Sequence, residues 1–194
     1  GEVWIRGGSV TAGYLDLDAE TKEAYTSDGW FKTGDIGEFD RKGQLRIIDR
    51  KKNLVKTLNG EYIALEKLES IYRSAPIVSN ICVYAATDRY KPIAIIFPLE
   101  KNLKTLAEGV GAPGEHLEEL VHDPKVVQAA LKQVLDVGRR GGLAGIELVE
   151  GVVLVDEEWT PQNGLVTSAQ KLQRGAILKR YSKEIEKIYS TAQF

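Results

Sequence analysis

The spacing of hydrophobic and polar positions changes partway along the chain. Through the first fifty residues it follows a period of two. Glu2-Val3-Trp4-Ile5-Arg6 alternates and stops at Gly7-Gly8, the pattern of a strand with one covered face. Ser27-Asp28-Gly29 is a turn signal. Ile36 to Phe39 and Leu45 to Ile48 flank Asp40-Arg41-Lys42-Gly43, which predicts a hairpin with Gly43 at a positive φ. Asp49-Arg50-Lys51-Lys52 then interrupts the apolar pattern. A second hairpin is predicted from Leu54 to Thr57 and Glu61 to Ile63, around Asn59-Gly60. Asn-Gly favours a short hairpin turn because both positions accept positive φ.

From Ala64 onward helical and strand periods alternate. Leu65, Leu68, Tyr72 and Ala75 share one helical face. Ile77 to Ala86 and Pro92 to Leu99 read as strands, the second apolar enough to be central, and Val152 to Val155 as a third. Asp123-Pro124 opens a helix with the stripe Val127, Leu131, Val134, proline suiting a first helical position. A last helix is predicted from Leu172 to Tyr189, with Leu172, Ala176, Tyr181, Ile185 and Ile188 on one stripe. The fold class expected is α+β. A β-rich segment over 1–49 leads through a basic joint at 50–52 to a compact domain over 53–194. That domain has a central, mostly antiparallel sheet, flanking helices and a leading hairpin.

Composition narrows the function classes. Apolar residues make up 43 % of the 194 and charged residues 28 %, as in a globular protein. A net charge of −2 gives no global reason to expect nucleic acid or an anionic membrane as partner. The longest apolar run, Ile93 to Phe97, falls far short of the roughly 20 residues that span a bilayer. The single Cys82 lies in an apolar run, where a free cysteine behaves as a small core hydrophobe. His116 and His122 lack companions at metal-ligand spacing, so no metal site is expected. The chain contains no Met, and Gly1 is taken to follow a cut inside a longer protein.

Three segments hold candidate chemistry. In Asp28-Gly29-Trp30-Phe31-Lys32-Thr33-Gly34-Asp35, a carboxylate after a Thr-Gly turn could accept two ribose hydroxyls, or cap the turn's own amides. In Asp49-Arg50-Lys51-Lys52-Asn53-Leu54-Val55-Lys56, four cations could bind phosphate, or form a solvated basic turn. No aromatic residue interleaves with them, as a nucleic-acid site would want. In Gln162 to Arg174, a small polar loop leads into the last predicted helix. Lys171 then sits near the positive end of that helix's dipole, an unfavourable place for a cation and so a local inconsistency of the kind functional sites tolerate.

In this order and spacing the three segments resemble the adenylate-forming superfamily: acyl-CoA synthetases, luciferases and peptide-synthetase adenylation domains. DGWFKTGDIGEFDRKGQLRIIDRKK, from Asp28 to Lys52, resembles the motif of fatty acyl-CoA synthetases. NLVKTLNGEYIALEKLE and NGLVTSAQKLQR resemble the eukaryotic long-chain branch. The resemblance extends from Gly1 to about Lys187. It implies the C-terminal end of a long-chain fatty acid–CoA ligase: the tail of the large domain over 1–49, a hinge at 50–52 and the mobile C-terminal domain over 53–194. It also implies ATP, Mg²⁺, CoA and a fatty acid as substrates and cofactors, and the protein's own N-terminal domain as partner. Asp35 and Arg50 would hold the adenylate ribose, and Lys56 would lie near its phosphate. Lys52 would be the hinge residue. Asn59, Gly60, Glu61 and Tyr62 would line the path of the CoA arm. Lys171 would be the catalytic lysine of adenylation, and Tyr14 would have a mainly structural role. The family usually has Gly before that lysine, where this chain has Gln170, and one residue more separates Lys56 from Gly60 than in many relatives.

The resemblance carries expectations of setting too. The phosphate loop, adenine segment and acid tunnel of the family are not in this chain, so it is expected to be inactive alone. An intracellular setting is expected, cytoplasmic or peripheral on endoplasmic reticulum, mitochondrial, peroxisomal or lipid-droplet membranes, with any attachment through parts outside this chain. A ligase for medium-chain or aryl acids, or a non-catalytic regulatory module of the same fold, are the alternatives.

Overall fold

A computed structural model describes residues 1–112 and 114–191. The chain divides into two compact units, Gly1–Val55 and one that begins at Lys56. Among the described residues no helix is long and apolar enough to cross a membrane.

The first unit is a three-stranded antiparallel sheet in the order β1 (Glu2–Ile5), β2 (Phe31–Phe39), β3 (Leu45–Arg50), with α1 (Asp18–Ala24) between β1 and β2. β2 starts five residues before the predicted Ile36. Thr33-Gly34, read as a turn, lies inside this strand. Glu2 pairs with Ile36 but Trp4 pairs with Lys32, so four residues of β2 span two of β1. The extra length is taken up as a bulge, with Gly34 at φ +74°. No apolar side chain of this unit is buried. Trp4, Phe39, Leu45 and Ile47 are all exposed, Phe39 at 73 %. A sheet with no covered face is short of the burial that independent stability needs.

β4 (Leu54–Lys56) straddles the division, and the second unit continues with its hairpin partner β5 (Tyr62–Ala64). Its main sheet has the order β6 (Val78–Tyr84), β7 (Ile93–Pro98), β8 (Val152–Leu154). β7 is antiparallel to β6 and parallel to β8. It is central, as its composition predicts, and Ile93, Ala94, Ile95 and Ile96 are wholly buried. Cys82, Ile93, Ile95 and Val153 face Ile177, Tyr181, Ile185 and Tyr189, which belong to the C-terminal helical region. Alternation turns Ile81, Val83, Ala94 and Ile96 the other way. Helices α2 (Leu65–Tyr72) and α5 (Pro124–Arg140) pack there, with α3 (Glu100–Gly109) and the short α4 (Leu117–Leu120) beyond.

Two helical expectations need correction. The buried stripe of α5 is Val126, Ala130, Val134 and Val137, one residue out of step with the predicted Val127 and Leu131, which are half-buried. Its start is as expected: the Asp123 carboxylate accepts the amides of Lys125 (2.7 Å) and Val126 (3.2 Å), a side-chain N-cap. The last predicted helix is two, α6 (Arg174–Arg180) and α7 (Ser182–Thr191). Tyr181 breaks them at φ −108°, ψ 24°. The break lets Ile177, rather than Ala176, reach the core while Tyr181 and Ile185 reach it from a new axis.

Candidate functional site

One local device recurs four times in this chain. In each case residue i donates its amide to the carbonyl of i+4, and the amide of i+3 returns to the carbonyl of i. The turns are Thr26–Trp30, Asp40–Gln44, Thr57–Glu61 and Thr167–Lys171. The residue at i+3 has positive φ every time: Gly29 (+85°), Gly43 (+77°), Gly60 (+83°) and Gln170 (+58°). This is the hairpin loop in which a type I turn is followed by one left-handed residue. It corrects the expectation for Asn59-Gly60, since only Gly60 takes positive φ. The five-residue loop needs one such position, whereas the two-residue turn would need two. The side chain at i often braces the turn. Thr26 Oγ1 accepts the Trp30 amide (2.9 Å), Asp40 Oδ1 the amides of Lys42 and Gln44 (2.8 and 2.9 Å), and Thr167 Oγ1 that of Lys171 (3.1 Å).

Lys171 is therefore the closing residue of a braced turn, not part of a helix. α6 starts three residues later, and its first cation is Arg174, so the dipole conflict expected for Lys171 falls on Arg174 instead. Lys171 is exposed. Its amide and carbonyl are both held by Thr167, and Leu172 bridges to Val166. Both the anchoring of this backbone and the exposure of the side chain suit a group that must meet a substrate at a fixed place.

Gln170 holds a conformation that costs a residue with a Cβ roughly 1–2 kcal/mol. Gln170→Gly is expected to stabilise the chain by about 1 kcal/mol, raising its melting temperature by about 3 °C. A lower melting temperature for the variant would mean that the Gln170 side chain holds the turn.

Two networks grip the flanks of this turn. Upstream, the Asn163 side chain accepts the amides of Thr160 (3.0 Å) and Leu165 (3.3 Å) and donates to the Glu158 carbonyl (2.8 Å). Arg180 pairs with Glu157 at 2.9 Å, and buried Trp159 donates its indole N–H to Tyr181 at 3.3 Å. Downstream, Arg174 makes a two-pronged pair with Glu69, at 2.6 and 2.7 Å. The same guanidinium donates to the Val83 carbonyl (3.2 Å), and Glu69 accepts the Val83 amide (2.8 Å). Glu69 is 4 % exposed. Burial lifts its carboxyl above the ordinary range, against the opposing pull of Arg174. Burial also opposes the charge on Arg174, but the hydrogen bonds and charge of Glu69 outweigh it and raise its pKa. Cys82 is adjacent, 3.6 Å from Arg174. Burial pushes its thiol up to about 12, so it stays an unreactive core side chain.

The first unit brings two candidates together. Asp35 and Arg50 are direct partners across β2 and β3, and Arg50 Nε lies 3.2 Å from Asp35 Oδ1. Their side chains are 31 % and 66 % exposed, so the pair itself adds little stability. The amide of Asp35 is taken by Thr33 Oγ1 at 3.1 Å, and that hydroxyl donates to the Val3 carbonyl at 2.8 Å. Asp49, which sequence reasoning passed over, is buried, and its carboxylate accepts the Arg50 amide (2.6 Å) and the Asn53 side-chain amide (3.3 Å). It thereby fixes the tight 3₁₀ turn Lys51–Asn53 that contains Lys52.

Arg50, Lys51 and Lys56 of the basic run each face a different partner. Arg50 turns to Asp35, Lys51 to Glu2 at 3.2 Å, and the Lys56 ammonium lies 6.0 Å from the Tyr62 ring centroid. Asn59, Gly60 and Glu61 belong to the Thr57–Glu61 turn, and Tyr62 begins β5 with 63 % exposure. That turn is tied down where the Leu58 amide donates to the Arg89 carbonyl at 3.0 Å. Tyr14 is exposed, its amide held by Thr21 Oγ1 at 2.9 Å. Among the described residues no group of three or more His, Cys, Asp or Glu is placed to hold a metal ion.

The chain is 57 % identical over 192 residues to long-chain-fatty-acid–CoA ligase 1 of Schizosaccharomyces pombe, covering 98 % of this chain and 28 % of that protein. It belongs to the adenylate-forming superfamily, in the long-chain fatty acid–CoA ligase branch. Long-chain-fatty-acid–CoA ligase 1 of Saccharomyces cerevisiae is 52 % identical, again over 28 % of its own length. The adenylation domain of a carboxylic acid reductase from Segniliparus rugosus, solved with AMP and a co-purified carboxylic acid, superposes over the whole of this chain. The TM-score is 0.82 at 27 % identity, and the match covers 28 % of that domain's chain. No protein-family model matches. This chain thus spans a little over a quarter of the length of the relatives it matches.

The residues missed by sequence reasoning are supports: Asp49, Glu69, Thr167 and Arg174. Glu69 carried a signal, a charge inside the otherwise apolar face of α2. Its partner, 105 residues away, carried none.

Proposed function

We propose that this chain is the C-terminal, moving part of a long-chain fatty acid–CoA ligase, and that it supplies one side of an active site. The reading rests chiefly on one observation: an exposed lysine, Lys171, is presented on a turn braced by Thr167 and gripped on both flanks. In the first half-reaction a fatty carboxylate attacks the α-phosphorus of ATP, and pyrophosphate leaves. Two anions must approach and charge builds on the phosphoryl oxygens. The Lys171 ammonium offsets both effects, as a preplaced cation does in phosphoryl chemistry. Asp35 accepts the ribose hydroxyls of the adenylate, and Arg50, its ladder partner, holds the same sugar. Lys56 lies by the adenylate phosphate.

In the second half-reaction the CoA thiolate attacks the acyl-adenylate carbonyl, a C–S bond forms and AMP leaves. The thiol then needs a path where Lys171 had stood. A turn of the C-terminal domain about Lys52 supplies it, and the exposed Asn59-Gly60-Glu61-Tyr62 edge becomes the wall of that path. The joint spans 50–52 in this reading, beside the division between the two compact units. Among the described residues no group of three or more His, Cys, Asp or Glu is placed to hold the Mg²⁺ that such chemistry uses. Any attachment to a membrane belongs to parts of the longer protein outside this chain.

The bare sheet of the first unit agrees with this reading, because its apolar faces await the rest of a larger domain. The chain alone, given ATP, palmitate and CoA, is expected to form no acyl-CoA. Measurable turnover by the chain alone would refute the half-site reading.

A further inference from the structure

The Glu69–Arg174 pair does more than fill the core, and its place in the fold says what. Among the described residues β6 is an edge strand, paired only with β7. At Val83 its outward amide and carbonyl are taken by Glu69 and Arg174 (2.8 and 3.2 Å). The two side chains thus cap the open edge at one residue and bind each other by two parallel bonds. Arg174 is the first residue of α6, three positions past Lys171. Between them, Leu172 bridges Val166 and the Gln173 amide donates to the Leu165 carbonyl at 2.9 Å. The strand that returns from Lys171 is therefore pinned at its far end to α2 and β6.

A cation at a helix start works against the helix dipole, and a buried ion pair is commonly replaceable by apolar side chains without loss of stability. What the pair adds to packing is direction. The planar guanidinium fork against a carboxylate sets it. We infer that Glu69 and Arg174 are positioning residues for Lys171, locking the start of α6 so that the ammonium meets the phosphoryl oxygens at a fixed point. This rests on the reading of Lys171 as the adenylation lysine.

The test uses the full-length ligase with Arg174→Gln, Arg174→Lys and Glu69→Gln, each in the Lys171 and the Lys171→Ala background. Pyrophosphate release reports the first half-reaction, and CoA transfer from supplied acyl-adenylate the second. A misplacement of about 1 Å costs on the order of 10²-fold. Arg174→Gln is therefore expected to slow pyrophosphate release by about that factor and to leave CoA transfer within about threefold. In the Lys171→Ala background it is expected to add less than a factor of about two, since no ammonium remains to position. If Arg174→Gln does not fold, Arg174→Lys and Glu69→Gln carry the same comparison, with losses of about tenfold expected. Equal losses in both half-reactions, or the same loss with and without Lys171, would make the pair merely structural. If Lys171→Ala alone left pyrophosphate release intact, the functional reading would fail, and the positioning role with it.

Discussion

Lys171→Ala in the full-length ligase is expected to slow adenylate formation by about 10²–10³-fold. A preplaced group that stabilises transition-state charge is worth roughly 3–4 kcal/mol when removed, and each 1.36 kcal/mol is about a factor of ten. The substitution should leave the fold alone. The side chain is exposed, and what braces the turn is the backbone of Lys171 and the Thr167 hydroxyl. CoA transfer from supplied acyl-adenylate should stay within a few-fold, because the proposed role confines the lysine to the first step. The checks are pyrophosphate release and thioester formation measured separately. Equal losses in the two would assign Lys171 a different role.

The second large effect is expected at Asp35. Its carboxylate would accept two ribose hydroxyls, and hydrogen bonds to a charged group contribute roughly 1.5–3 kcal/mol each. Asp35→Ala should weaken nucleotide binding by at least about 10²-fold, seen as a raised KM for ATP. Its ion pair with Arg50 is largely solvated, so the melting temperature should barely move. Asp35→Asn, which keeps one acceptor, should fall between. An unchanged KM in Asp35→Ala would remove the ribose from this part of the site.

These effects come from residues whose local setting the sequence revealed unevenly. The Asp40–Gln44 hairpin was legible because Asp and Gly stand where the turn needs an acceptor and a left-handed residue. The same turn at Thr167–Lys171 was not, because Gln170 occupies the left-handed position and hides the signature. Lys171 was consequently read as the foot of a helix. The structure also explains why a glycine would suit that position: φ is +58° there. β7 could be recognised from its unbroken apolar run, since a strand buried on both faces does not alternate. The bulge at Thr33-Gly34 was taken for a turn, because a glycine with positive φ serves either purpose. The break at Tyr181 had no local signal at all. No Gly or Pro marks it.

The candidate site was legible where chemistry is local and opaque where it is shared. Asp35 and Arg50 stood out by their motifs, and the antiparallel register of β2 and β3 makes them neighbours. The Glu69–Arg174 pair joins α2 to α6 across most of the second unit. Only the folded chain brings these two charges, 105 residues apart, together. The resemblance to fatty acyl-CoA synthetases pointed to Lys171 and passed over what holds it.

In the proposed function the chain serves two half-reactions by turning about a joint at Lys52. Lys52→Pro tests it most directly when measured beside Lys171→Ala in the full-length ligase. Proline fixes its own φ near −65° and restricts the residue before it, so the joint at Lys51–Asn53 loses conformers it must pass through. Opposite losses are expected. Lys171→Ala loses pyrophosphate release and keeps CoA transfer, while Lys52→Pro keeps pyrophosphate release and loses CoA transfer by at least about tenfold. Loss of both activities to the same degree in Lys52→Pro would contradict it.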